Sequence, residues 1–265
     1  VYYHKLGDPQ EKDALVWENK VNGDLYVGAG VTEGEEFATL YVSTGTDGFE
    51  QYYHDLRSGG LPTPATQWTA LQTGFDHKTS IVAYEPKGGK LLVRTDVDAP
   101  RYRLVAVDPA KPAKTDWVDV IPQKDELLEN VSTGGGLLFA EYLKDATTRV
   151  YRCNSDGTDG KDVELPGIGS AGGFGGERND TFGFFTFTSF TDPGSIFTYD
   201  HATNTSKLFY RPELKFDPSQ FETTQVFYPS KDGTKVPMFI VHKKGLERTG
   251  KNPTLLYAYG GFNVN

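Results

Sequence analysis

A unit of roughly 45–50 residues recurs along this chain, and this repeat restricts the fold more than any other feature of the sequence. In each copy, an aromatic or β-branched run ends in Asp or Asn and is followed by a turn. We call these four positions the landmark residues: Asp55, Asp108, Asn154 and Asp200, spaced 53, 46 and 46 positions apart. A second predicted strand and a polar hairpin precede each of them, with the strands at 38–44, 90–96, 136–142 and 182–188. Such a unit is typical of a four-stranded propeller blade.

The repeat predicts a mostly β fold containing an incomplete β-propeller. One blade cannot bury both faces of its sheet, so blades stack around a common axis. The alternative is a β-sandwich, whose strands also recur at short spacing, but the repetition of the whole unit with its turn favours the propeller. Residues 1–6, VYYHKL, are interpreted as the end of a further blade. Four blades are too few to close a ring, so we expect more blades upstream of Val1.

The composition fits aromatic strands separated by turns, with 15 Tyr, 17 Phe, 30 Gly and 15 Pro. A net charge of −9 argues against a nucleic-acid partner, which would require a basic surface. The longest apolar stretches, such as 236–241, are far shorter than the ~20 residues of a membrane helix, so no membrane is expected. The single cysteine, Cys153, excludes an intrachain disulfide and fits a cytoplasmic protein, or a periplasmic one if the source is bacterial.

Motif-like stretches in the chain do not support a cofactor or a metal. GIGSAG at 167–172 matches G-x-G-x-x-G, but Pro166 precedes it and no helix pattern follows, so a dinucleotide would find no helix N-terminus. NSDGTDGKD at 154–162 is similar to a calcium loop, but its glycine and closing glutamate are misplaced, which favours a solvated hairpin. The five histidines share no metal-ligand spacing. The sequence therefore predicts no cofactor and no metal.

The pattern changes after about residue 213, and we predict a propeller over 1–213 and a second domain over 214–265. Residues 225–244 are predicted to form a hairpin around an Asp-Gly turn, with longer strands than the blades use. PTLLYAY, at 253–259, is apolar on both faces and predicts a buried strand of a mostly parallel sheet.

The closing stretches, VFYPSKDGTKVPMFIVHKKG at 226–245 and LLYAYGGFN at 255–263, closely resemble the prolyl oligopeptidases, a family of serine peptidases. The resemblance extends back through the predicted blades, including VYYHKLG at 1–7 and TSFTDPGSIFTYD at 188–200. It implies a seven-bladed propeller followed by the first strands of an α/β-hydrolase domain, and a chain taken from the middle of a longer protein. The Gly-Gly-Phe-Asn after Tyr259 favours the prolyl branch over the oligopeptidase B branch, where Tyr-Gly-Tyr-Gly-Ser-Tyr is expected.

The resemblance assigns a chemical role to the residues at the end of this stretch. Tyr259 matches the family's oxyanion-hole tyrosine, and a phenol with a pKa of ~10 stays protonated at neutral pH and can donate to an oxyanion. Gly260 and Gly261 would let the backbone turn sharply beside the substrate. Phe262 matches a residue that lines the apolar pocket near the proline ring, and Asn263 is predicted to contact substrate with it. The alternative is that Tyr259 and Phe262 are core aromatics at a strand end.

The chain contains no G-x-S-x-G nucleophile elbow, so the resemblance implies that the catalytic Ser, Asp and His lie beyond Asn265. We therefore predict part of a serine endopeptidase that cleaves short peptides on the carboxyl side of proline, with the propeller gating substrate access. Its predicted partners are proline-containing short peptides and the remainder of its own polypeptide, and it is predicted to be a monomer. The alternatives are a non-catalytic propeller that serves as a binding scaffold and a peptide macrocyclase of the same family. The dipeptidyl peptidase branch is disfavoured, because no pair of glutamates fits its N-terminus-anchoring site.

Overall fold

The computed structural model describes residues 1–46 and 48–260, and antiparallel β-sheets make up nearly all of its regular structure. Contacts between residues divide the chain into two compact units. The first is Val1–Val131 with Ser155–Gly157, and the second is Ser132–Asn154 with Thr158–Asn265.

The first unit contains one two-stranded sheet and two four-stranded sheets. Its strands are β1 (Tyr2–Tyr3), β2 (Ala14–Leu15), β3 (Tyr26–Val31), β4 (Phe37–Ser43), β5 (Phe49–Asp55), β6 (Thr69–Gln72), β7 (Thr79–Glu85), β8 (Lys90–Thr95), β9 (Arg103–Val107) and β10 (Val118–Ile121). Strand β1 pairs with β2, β3–β6 form the first four-stranded sheet, and β7–β10 form the second. Its helices are single turns: α1 (Leu56–Gly59) and the 3-10 turns Gln10–Lys12 and Lys114–Asp116.

The remaining strands form two more four-stranded sheets and a hairpin. They are β11 (Leu127–Gly134), β12 (Leu137–Lys144), β13 (Thr147–Asn154), β14 (Lys161–Val163), β15 (Ser170–Gly175), β16 (Phe182–Ser189), β17 (Asp192–Asp200), β18 (Thr205–Tyr210), β19 (Phe221–Pro229) and β20 (Lys235–Lys243). Strands β11–β14 form the third four-stranded sheet, β15–β18 form the fourth, and β19 pairs with β20. A 3-10 turn, Pro218–Gln220, precedes β19.

The landmark residues occupy equivalent positions in four different sheets, as the repeat predicts. Asp55, Asn154 and Asp200 end the third strand of their sheets, and Asp108 directly follows the third strand of the second sheet. The strands predicted before them are β4, β8, β12 and β16, each the second strand of its sheet. Each four-stranded sheet is therefore one copy of the sequence unit, and the predicted propeller-type fold is confirmed.

A local hydrogen bond explains why Asp recurs at the landmark position. In three of the four sheets the carboxylate accepts the backbone N–H of the second residue after it, which closes the turn that leads to the fourth strand. The pairs are Asp55 with Arg57, Asp108 with Ala110 and Asp200 with Ala202, at 2.9, 2.9 and 3.1 Å. Asn154 stabilises its turn differently, because its side-chain amide donates to the Thr158 hydroxyl at 2.9 Å.

Replacing Asp200 by Asn is expected to make the protein less sensitive to acid. Hydrogen bonds from the N–H and hydroxyl of Thr203 lower the pKa of Asp200. A carboxylate with a lowered folded-state pKa stabilises the fold above its unfolded pKa of about 3.9, and this stabilisation is lost as the pH falls through the folded pKa. Asn keeps an acceptor oxygen and does not titrate. The measurement is the thermal unfolding midpoint between about pH 7 and pH 3; an equal acid-induced fall in both proteins would contradict the prediction.

Each unit has a buried core cluster, which is mainly aliphatic in the first unit and mainly aromatic in the second. One buried cluster joins the first and second sheets, and it consists of Phe37, Tyr53, Leu71, Tyr84, Leu91, Val93, Val105 and Val107. The other joins the third and fourth sheets, and it consists of Phe139, Val150, Val163, Phe174, Phe185, Phe187, Phe197 and Tyr199. In β16 the buried residues alternate with exposed ones, because successive side chains of a strand point to opposite faces.

The predicted hairpin after residue 213 is confirmed, with β19 and β20 paired from end to end. Gly233 takes a φ of +85° in its turn, a conformation that glycine adopts without strain. The predicted buried strand at 253–259 is wrong, because these residues form no strand and Leu255 and Leu256 are 90% and 83% exposed. A central strand needs hydrogen-bonding neighbours on its edges. Among the described residues, none pairs with this segment.

Candidate functional site

The predicted site residues begin in an exposed segment without secondary structure. Tyr259 is 57% exposed, and a Cβ added to Gly260 would meet no atom within 4 Å beyond its chain neighbours. Gly261, Phe262 and Asn263 lie outside the described residues, so their roles stay predictions.

An exposed phenol can donate a hydrogen bond, but acyl transfer also requires a nucleophile and a base. Three histidines of the described residues contact carboxylates: His4 with Asp13 at 2.6 Å, His77 with Asp96 at 3.2 Å and His242 with Glu222 at 3.4 Å. Each pair lies within a sheet or between neighbouring turns, and in the described part of the chain none of these imidazoles hydrogen-bonds to a serine hydroxyl. These pairs are structural contacts.

A guanidinium cluster that the sequence patterns did not predict joins the first and second sheets. Arg57 lies 4.6 Å from the ring centre of Phe37 and 5.2 Å from that of Tyr84. Its Nε and Nη2 donate to the carboxylate of Asp55 at 2.9 and 2.7 Å, and its Nη1 donates to the Tyr84 hydroxyl at 2.7 Å. The cluster borders a cavity of about 490 Å³ that also touches Asp108. Because Arg57 is already paired and stacked, its role is to hold two sheets together.

A second arginine connects the second sheet to β11. Nε and Nη2 of Arg94 donate to the Leu128 carbonyl at 3.0 and 2.8 Å, and its guanidinium lies 3.6 Å from the ring centre of Tyr102. Burial lowers the pKa of Arg94. The sequence spacing cannot predict the bond from Arg94 to Leu128, because it joins a side chain of one repeat to the backbone of the next.

A third polar cluster lies where the chain leaves the fourth sheet. We call residues 211–220, between β18 and β19, the connector. Its first residue, Arg211, donates from Nε to the Ser195 hydroxyl at 3.2 Å, and Ser195 donates to Asp192 at 2.7 Å. A cavity of about 440 Å³ separates part of the connector from the fourth sheet.

Residues 1–46 and 48–260 contain neither a membrane-spanning helix nor a candidate metal site. No helix there is long and apolar enough to span a bilayer. No group of three or more His, Cys, Asp or Glu side chains there is arranged to hold a metal ion.

Four antiparallel meanders of four strands, each with its landmark residue at the same turn, define a β-propeller protein. A family model described as the N-terminal β-propeller domain of prolyl oligopeptidase matches residues 1–212. The chain belongs to the prolyl oligopeptidase family.

Individual relatives agree with this assignment. The chain is 40% identical over 269 residues to the prolyl endopeptidase of Elizabethkingia meningoseptica, covering 100% of this chain and 36% of that protein. A solved structure described in a study of two prolyl endopeptidases and their inter-domain dynamics matches with a TM-score of 0.87 and 37% identity, covering 100% of this chain and 38% of the other. Prolyl oligopeptidase B from Galerina marginata, bound to a 35-residue hydrolysis and macrocyclization substrate, matches with a TM-score of 0.82 and 26% identity, covering 93% and 35%. The chain thus spans about a third of the length of these relatives.

Proposed function

We propose that this chain is the propeller and the first hydrolase-domain segment of a serine endopeptidase that cleaves short peptides after proline. The observation that carries the proposal is the combination of the four propeller sheets with the Tyr-Gly-Gly-Phe-Asn stretch at 259–263. Relatives named prolyl endopeptidase, whose matches cover the whole of this chain, support the proposal.

In this proposal Tyr259 donates its phenol hydrogen bond to the oxyanion of the tetrahedral intermediate. Gly260 and Gly261 permit a close backbone turn, and Phe262 and Asn263 contact the substrate around its proline. The exposure of Tyr259 is consistent with a role that is completed by further parts of the whole protein. The propeller domain ends near residue 213, the hydrolase domain begins at about 214, and the triad lies in the remainder of the polypeptide.

The solvent-exposed face of the fourth sheet supports a further contact within the whole protein. Phe182, Phe184 and Phe209 are 52%, 41% and 64% exposed, and their rings form one cluster with centres 5.6 and 5.1 Å apart. An exposed aromatic patch of this kind is typical of an interaction surface. We propose that another propeller sheet of the same polypeptide covers it, and that the whole protein is a monomer in the cytoplasm, or in the periplasm of a bacterium.

Peptide macrocyclisation is the second candidate function. It is favoured by one observation, the match to Galerina marginata prolyl oligopeptidase B bound to a macrocyclization substrate. Both activities pass through the same acyl-enzyme and differ in whether water or a peptide amine attacks it.

Residues 1–265 alone are expected to give no hydrolysis of a reporter peptide with proline before the scissile bond, whereas the full-length protein should hydrolyse it. The reason is that the chain lacks a nucleophile elbow. The measurement is reporter release by both proteins after the same purification. If residues 1–265 hydrolyse the reporter, and substitutions within these residues abolish that hydrolysis, then the nucleophile does not lie in the remainder of the polypeptide. An inactive full-length protein would contradict the proposed enzyme function.

A further inference from the structure

The connector is the only covalent path in the described ranges between the fourth sheet and the β19–β20 hairpin. It contains one 3-10 turn and no strand. Strand β18, which leads into it, is an edge strand, and its pairing with β17 is irregular: Ile196 faces Tyr210 while Phe197 faces Leu208. The extra residue forms a bulge, which bends a strand and weakens its last pairing. The chain therefore leaves the sheet at a point where the backbone hydrogen bonds between β17 and β18 are weak.

Side chains anchor the chain at this exit. Arg211 donates to the Ser195 hydroxyl at 3.2 Å, and its Nη2 lies 3.6 Å from the carboxylate of Asp192. Ser195 is fully buried, and its hydroxyl bonds to both carboxylate oxygens of Asp192 at 2.9 and 2.7 Å. The Asp192 side chain is only 14% exposed, so its charge is partly shielded from water and attracts Arg211 more strongly than a surface carboxylate would.

Beyond Arg211 the connector is loosely packed. The cavity of about 440 Å³ is lined, among others, by Phe187 of the fourth sheet, Leu214 of the connector and Thr223 of β19. The Thr223 hydroxyl is buried and has no hydrogen-bond partner among the described residues. A segment above open space can change its backbone angles with little loss of packing, which is what a hinge requires.

The hairpin after the connector contacts the third and fourth sheets at a few points. Gln225 donates from its side chain to the Asp145 carbonyl, and the rings of Phe190 and Phe239 lie 5.3 Å apart. Both contacts are made by turns that join the second and third strands of a sheet, at the end opposite the landmark residues.

We propose that Arg211, Ser195 and Asp192 form a latch that fixes where the chain leaves the propeller, so that the following domain opens by bending within residues 212–217. The proposal rests on the proposed two-domain peptidase, in which opening admits the peptide. Arg211 is then a positioning residue: it sets the start of the hinge and touches no substrate. Loss of the latch would let the end of β18 separate from the sheet. The position about which the following domain opens would then vary.

The test compares Arg211→Gln with Arg149→Gln in the full-length protein. Arg149 is exposed on β13 in the same unit, and its replacement removes the same charge away from the connector. Hydrogen exchange is measured for peptides that cover 205–220. Arg211→Gln should exchange about tenfold faster there, as expected for a lost hydrogen bond to a charged group, and Arg149→Gln should match the unsubstituted protein. Equal protection in all three proteins would overturn the latch.

Two more variants separate the latch from a general loss of stability. Ser195→Ala keeps both charges and removes the bridging hydroxyl, so faster exchange should again be confined to 205–220. Arg211→Lys keeps the charge but cannot reach both partners with one planar group, so it should restore protection only in part. Exchange that rises equally throughout the fourth sheet in these variants would contradict a local latch.

A functional measurement tests the hinge itself. For the full-length protein, kcat/KM is determined for a long proline-containing peptide and for a short reporter, and Arg211→Gln should change their ratio, because only the long peptide requires wide opening. Faster exchange with an unchanged ratio would overturn the hinge and leave the anchoring contact. A full-length protein without peptidase activity would contradict the proposed function, while the exchange result would still decide the latch.

Discussion

Replacing Tyr259 by Phe in the full-length protein is expected to lower kcat by about 10²–10³-fold, the usual effect of losing one oxyanion-hole donor. The substitution removes one hydroxyl and keeps the ring. The phenol donates to an oxyanion that forms only in the transition state and the tetrahedral intermediate. KM should therefore change much less than kcat. The measurement is kcat and KM on a poor substrate whose chemical step limits the rate, because a slow conformational step would mask part of the loss.

Tyr257→Phe is the matched control for this experiment. Tyr257 lies two residues earlier in the same segment and is 80% exposed. It has no predicted role in the oxyanion hole, so its kcat should stay near that of the unsubstituted protein. A stable Tyr259→Phe protein with kcat within about threefold of the unsubstituted value would end the oxyanion assignment. Reduced thermal stability with normal kcat would instead identify Tyr259 as a core aromatic.

Replacing Phe185 by Ala is expected to destabilise the chain by about 3–5 kcal/mol, the usual cost of removing a buried aromatic ring. Phe185 is 2% exposed and stacks between Phe174 and Phe197, with ring centres 4.4 and 5.2 Å away. Its loss leaves a cavity between the third and fourth sheets, where Phe174 also stacks on Phe139. The measurement is the free energy of unfolding from urea titration of residues 1–265.

Phe184→Ala provides the control, because Phe184 is the preceding residue on the same strand and faces the other way. It is 41% exposed in this chain, so its replacement should cost well under half as much as that of Phe185. In the full-length protein the cost at Phe184 should increase if another propeller sheet covers this face. Equal costs at the two positions in residues 1–265 would contradict the assigned strand orientation.

The sequence predicted the sheets well because the determinants of a blade are local. The alternation along β16, the turn after Asp200 and the spacing of the landmark residues can all be recognised without knowing the three-dimensional fold. The same holds for the β19–β20 hairpin, whose Asp-Gly turn and long strands are contiguous in the chain.

Features that depend on distant partners could not be predicted in this way. The stacking of Arg57 on Tyr84 and the bond from Arg94 to the Leu128 carbonyl join different repeats, so no spacing reveals them. The segment 253–259 has the composition of a buried strand, but burial depends on neighbouring strands that the described residues do not supply. For the same reason the role of Tyr259 rests on its resemblance to the family.

We propose that this propeller belongs to a peptidase that cleaves after proline. The most direct measurement is mass spectrometry of the products that the full-length protein forms from two peptides differing only by Pro or Ala at one position. We expect linear fragments ending in that proline, and little cleavage of the alanine peptide. Cyclic products from the proline peptide would favour the macrocyclase alternative. Intact peptides, or equal cleavage of both, would show that the protein is not a proline-specific peptidase.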